Sequence, residues 1–142
     1  MFPGKETGNL AEKTAYQVFN KIIQIKPDLV LDLHNDWKKS VYYALIDPKT
    51  KSTKREIYRK TVSLGRKLDI PLVLDTDNLT GSLTYNLLKN NVPAITIELS
   101  DSSSKKEDIK KRMKIILNLL SQLKMIKHKP KIKINKEIEN KI

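Results

Sequence analysis

Leu29-Val30-Leu31-Asp32-Leu33-His34 and, further along, Val92-Pro93-Ala94-Ile95-Thr96-Ile97-Glu98-Leu99 decide the fold. Each contains an apolar run too short for a helix, and each reads as a strand whose two faces are covered. Each also sets one reactive side chain near the strand's end, His34 in the first and Glu98 in the second. Open α/β sheets build their sites at such ends, because the strand is rigid and the loop beyond it is open to ligand.

Outward from these strands the punctuation is regular. Asn9 with Glu12 approximates a capping box, and Leu10, Ala11, Ala15, Val18, Phe19, Ile22 and Ile23 recur at three- and four-residue spacing. A helix from about residue 9 to 25 follows, and it must stop near Pro27, since the residue before a proline is pushed out of helical geometry. Ser40 to Ile46 is rich in β-formers and ends at Asp47-Pro48. After a charged loop, Ile57, Thr61, Leu64 and Leu68 mark one face of a helix, with Gly65 its weak spot. Ile70 to Leu74 reads as a buried strand, Asp75 to Gly81 as a polar turn, and Ser82 to Lys89 as a short helix entering the second apolar run. Ser104 with Glu107 forms a capping box ahead of Ile109, Met113, Ile116, Leu120 and Leu123, a helix over about 105 to 126. The order describes a layered α/β domain, a sheet with helices on its faces, over residues 1–126. Residues 127–142 form a lysine-rich tail in which Lys131-Ile132-Lys133-Ile134 alternates as an edge strand does.

The 142 residues are one domain's worth of chain. With no cysteine, a disulfide framework, a thiolate metal site and a thiol nucleophile are excluded. No stretch reaches the roughly 18 consecutive apolar residues of a membrane span, and the first residues lack a signal peptide's apolar core. The expectation is a cytoplasmic protein that does not enter the membrane. The net charge of +12 raises nucleic acid as a partner, but nearly all of it is lysine, and only Arg55, Arg59, Arg66 and Arg112 offer bidentate forks. A lysine-rich solvated surface is the preferred reading, and a small basic protein binding nucleic acid or an anionic partner is the alternative.

Three segments in order carry a resemblance. Phe2-Pro3-Gly4 ahead of an amphipathic helix, then Asp32-Leu33-His34-Asn35, then Gly81-Ser82-Leu83-Thr84-Tyr85 leading to Val92-Pro93-Ala94-Ile95-Thr96-Ile97-Glu98, resemble the succinylglutamate desuccinylase/aspartoacylase family of zinc carboxypeptidase-like hydrolases. The resemblance implies a zinc-dependent hydrolase of the deacylase type that cleaves an amide bond of an N-acyl amino acid or a similar small, peptide-like substrate. It matches His34 to the family's third zinc ligand and Glu98 to the carboxylate that activates the zinc-bound water and passes its proton to the leaving amine. Imidazole suits zinc, and zinc brings the pKa of its water near neutrality, where a carboxylate can handle the proton.

The departures are equally specific. The family's first two ligands, a His-x-x-Glu pair, have no counterpart here, and its Asn-Arg pair would precede Met1. The expectation is therefore the carboxyl-terminal part of a longer enzyme, inactive or nearly so by itself, with its substrate-binding residues elsewhere. Ser100 stands where many members carry glycine.

Plainer readings accompany each residue. His34 alone would be a hydrogen-bonded strand-end histidine, and Glu98 alone a carboxylate paired with a lysine or arginine. Asp32 points to the face opposite Leu33, which leaves Asp36 or Asp75 as the expected recruits for a completed metal site. Asp75 and Asp77 are turn-formers in the first instance, with a place in the same cleft as the second option. Trp37 and Tyr85 read as packing residues, and Ser82 has no histidine partner to make it a nucleophile.

Overall fold

The structure, a computed structural model, describes residues 1–36, 41–101 and 105–127. Its elements are α1 (Leu10–Ile25), β1 (Val30–Asp36), β2 (Tyr42–Ile46), α2 (Arg55–Gly65) with a 3₁₀ turn (Arg66–Leu68), β3 (Leu72–Leu74), α3 (Leu83–Lys89), β4 (Ala94–Asp101) and α4 (Lys106–Gln122). The strands form one sheet in the order β1-β4-β2-β3. β1 runs parallel to β4 and β2 parallel to β3, while β2 and β4 are antiparallel.

Local chemistry sets the helix ends. Asn9 caps α1 through its side chain, which accepts from the Glu12 N–H, while the Glu12 carboxylate accepts from the Asn9 N–H. The helix closes at Lys26 in the left-handed region, one residue before Pro27. Ser82 caps α3 by accepting from the Tyr85 N–H. α4 departs from the expected Ser104–Glu107 box: its N-cap is Lys105, with no side-chain cap bond, and Ser104 lies outside the described residues. Glu107 and Asp108 still meet the positive end of its dipole. The buried stripe of α4 is also rotated from the sequence reading, because Ile115, Asn118 and Leu119 are buried whereas Ile109 and Met113 are exposed.

Side-chain alternation gives the sheet two unlike faces. One carries Ala44, Ile46, Ile95, Ile97 and Leu99, packed with Leu64 and Leu68 around α2 and with Ile115 and Leu119 of α4. Each fully buried Ile or Leu there contributes about 1.5–3 kcal/mol. The other face carries Val30 and Ala94 against Phe19 of α1 and Leu87 of α3, with Val92 beside them. The same face also holds the polar residues Asp32, His34, Thr96 and Glu98, alternate positions of β1 and β4 in cross-strand register.

The expectation of doubly covered strands fails at the sheet's two margins. Among the described residues β1 pairs only with β4, and β3 only with β2. Leu33 is therefore 51% exposed and Leu74 49%. Beside β1 an apolar groove runs along Leu29, Leu31, Leu64, Leu119, Leu120 and Leu123.

Candidate active site

His34 and Glu98 are direct neighbours across the parallel β1–β4 pair. His34 Nδ1 lies 3.3 Å from Glu98 Oε1, and Nε2 lies 3.2 Å from Asp32 Oδ2. The imidazole thus stands between two carboxylates, with its side chain 49% exposed and those of Asp32 and Glu98 at 25% and 17%. A lysine or arginine partner for Glu98, the plainer expectation, is not what this contact provides. A neutral imidazole carries a single N–H, so it can donate to one of the two carboxylates and turns a lone pair toward the other.

Backbone geometry fixes the trio. Asp32 and His34 lie two residues apart on one strand and therefore share a face, while Thr96 is level with Asp32 on β4. The Thr96 hydroxyl pairs at 3.0 Å with that of Thr84 on α3, which seats the helix beneath this part of the sheet. Past His34 the register slips, from His34↔Glu98 to Asp36↔Asp101, so β4 spends one more residue than β1. Ser100 lies in that extra stretch with φ at 64°, a left-handed conformation that glycine adopts without cost. The glycine expected at this position thus has a backbone reason, and serine occupies the same turn.

The amino-terminal motif belongs to the same face. Phe2 packs with the α1–α3 cluster, its N–H donates to the Gly81 carbonyl at 3.0 Å, and its carbonyl accepts from Asn86 Nδ2 at 3.3 Å. Gly4 adopts φ +81° against α1, where a Cβ would strike the Glu12 carbonyl oxygen and the Tyr16 nitrogen. Phe2-Pro3-Gly4 and Gly81-Ser82 are therefore joined in space.

Other expectations fall differently. Asp75 follows β3, at the end of the sheet opposite His34 and Glu98, because β2 and β3 run against β1 and β4. It is no recruit for this site. Its Oδ1 accepts from the Asp77 N–H at 3.1 Å, the turn-forming role. Tyr85 is buried and packs. Trp37, His128 and the lysine-rich tail of the alternative reading lie outside the described residues, as does the side-chain environment of Asp36. Asp32 is the site residue that the sequence does not single out: it faces away from Leu33, and that same parity turns it toward His34.

At the far end of the sheet stands Asp47, 1% exposed, with neither carboxylate oxygen hydrogen-bonded among the described residues. Burial, reinforced by the nearby Asp75 carboxylate, pushes its carboxyl above the usual aspartate range; the hydroxyls of Thr84 and Ser82 are close enough to oppose this without making well-formed bonds.

Among the described residues no three His, Cys, Asp or Glu side chains form a group that could hold a metal ion, and the two carboxylates flank the imidazole instead of sharing a centre with it. One imidazole nitrogen facing a carboxylate fits one corner of a catalytic zinc site, which takes three protein ligands. Among the described residues no helix is long and apolar enough to cross a membrane.

No family model and no curated protein matches the chain. Solved structures do. A succinylglutamate desuccinylase/aspartoacylase from Rhodobacter sphaeroides is 17% identical with a TM-score of 0.71, and the match covers 91% of this chain and 38% of that one. The product-bound ectoine utilization protein EutE (DoeB) from Ruegeria pomeroyi is 20% identical, TM-score 0.72, covering 92% and 40%. A succinylglutamate desuccinylase from Silicibacter sp. TM1040 is 18% identical, TM-score 0.68, covering 85% and 37%. The chain spans about 40% of the length of the structures it matches.

Proposed function

We propose that this chain, which has the fold of part of the succinylglutamate desuccinylase/aspartoacylase structures, contributes a metal ligand and a proton-handling carboxylate to a zinc-dependent deacylase, residues 1–126 being the carboxyl-terminal portion of its catalytic domain and 127–142 an appended tail. The observation that carries the reading is the His34–Glu98 contact at the ends of two paired parallel strands. His34 would supply one of the nitrogen donors, and an upstream His-x-x-Glu segment the remaining ligands. Zinc, when bound, supplies an acidified water and polarises the scissile carbonyl.

The chain's own residues then divide the work. Glu98, largely screened from solvent, accepts the proton of the attacking water and returns it to the departing amine, a role for which its place beside the ligand suits it. His34 holds its donor atom fixed, since a strand end in cross-strand register allows little drift. The substrate class is an N-acyl amino acid or similar small amide, whose recognition groups would lie on the upstream segment.

The test combines this chain with an upstream polypeptide bearing His-x-x-Glu and follows zinc content and hydrolysis of N-acyl amino acids. The expected outcome is background activity for the chain alone and zinc-dependent hydrolysis for the combination. Glu98→Gln should lower that rate by about 10²–10⁴-fold, and His34→Ala should lower zinc occupancy. Hydrolysis indifferent to both substitutions would overturn the reading.

A further inference from the structure

We infer that Asp32 is the positioning residue for His34: it receives the imidazole's N–H at Nε2 and so leaves the lone pair on Nδ1, the nitrogen that faces Glu98. The contacts state the alternatives sharply. Nε2 is 3.2 Å from Asp32 Oδ2 and Nδ1 is 3.3 Å from Glu98 Oε1, so a neutral ring must choose which carboxylate it donates to. Distance alone does not decide between them.

Placement in the sheet does. Asp32 lies two residues behind His34 on the same strand, toward the covered part of the sheet and level with the Thr96–Thr84 hydroxyl pair. Glu98 is level with His34 itself, at the end where the strands give way to loops. A carboxylate behind the ring can orient it without obstructing the open side; a carboxylate beside the ring on the open side is the one that meets an incoming group. With the proton held on Nε2 by Asp32, Nδ1 is free to donate electrons toward the space it shares with Glu98. A ligating histidine whose second nitrogen is anchored by a carboxylate has its tautomer and ring orientation fixed, and loss of the anchor typically costs about 10–100-fold in metal affinity. The tautomer is inferred from the contacts together with the placement of the two carboxylates; its use in holding a metal rests on the proposed function.

The experiment reads the two parts separately. The full chain carrying His128→Gln, which removes the second imidazole, is ¹⁵N-labelled and its ring nitrogens are recorded at alkaline pH, where imidazoles are neutral. The wild-type site should show the Nε2–H tautomer. Asp32→Ala should shift the population toward Nδ1–H, drawn by Glu98, whereas Glu98→Ala should leave Nε2–H in place. A wild-type ring protonated at Nδ1, or a tautomer indifferent to Asp32→Ala in a chain whose circular dichroism is unchanged, overturns the assignment; the wild-type measurement decides even if the variant does not fold. Zinc chloride is then added in the presence of the upstream His-x-x-Glu polypeptide: line changes at Nδ1 support the metal role, and changes confined to Nε2 would make Asp32 a co-ligand and overturn the positioning role. Indifference of both nitrogens to zinc, with the Nε2–H tautomer seen, counts against the zinc reading and leaves the Asp32–His34 relation standing.

Discussion

The two ends of this sheet hold acids in opposite circumstances. Where β1 and β4 finish, Asp32 and Glu98 flank an imidazole, partly open to water and in contact with a group able to carry positive charge. Where β2 and β3 finish, Asp47 is sealed under α3 with no hydrogen-bond partner among the described residues and with Asp75 as a repelling neighbour. A carboxylate at a strand end is thus not a functional signal in itself. What separates the ends is whether the acid faces a partner and a route to solvent, and only the first end has both.

The largest test of that contrast sets two adjacent residues against each other. Ile97 is fully buried on the apolar face and Glu98 lies on the other. Ile97→Ala should cost about 2–5 kcal/mol in urea unfolding through lost transfer energy and the cavity left behind, while Glu98→Gln should leave the midpoint nearly unmoved. A comparable loss from Glu98→Gln would mean that the first end is built for stability.

Next comes Asp47. Because its carboxyl titrates above the usual aspartate range when folded, the folded chain keeps the proton where the unfolded chain has lost it. Its contribution is therefore most favourable below the unfolded pKa and is lost as pH rises toward the folded one. Asp47→Asn removes the charge that burial opposes while keeping the side chain's shape, and should flatten the decline of the thermal midpoint between acidic and neutral pH. A destabilised variant would reveal a partner that the second end depends on.

The smallest effect belongs to the turn beyond Glu98. Ser100→Gly relieves a left-handed serine and should stabilise the fold by up to about 1 kcal/mol. A loss would show that the serine side chain repays its backbone strain.

Periodicity made most of the fold legible. The capping box at Asn9, the stop before Pro27 and the Ser82 start of α3 all depend on neighbours in sequence, and each matches the structure. What stayed hidden depends on distant chain. Leu33 and Leu74 look like core residues until the strand order leaves them at margins, and the rotation of α4 is set by what it packs on. At the site, the pairing of His34 with Glu98 required the β1–β4 register, and Asp75 required the antiparallel reversal at β2 to be sent to the far end. Asp32 needed only the two-residue period of a strand, and it was readable all along.

The outer margin of β1 has a practical consequence. A ladder of N–H and C=O groups that is used on one side only among the described residues, beside an apolar groove, is adhesive toward any similar edge, and the mutual repulsion of chains carrying a charge of +12 opposes that. Salt shortens the reach of that repulsion to about 8 Å at physiological strength. Solutions of this chain should therefore stay clear at low ionic strength and cloud as salt is added, so purification is better served by dilute buffers than by concentrated ones.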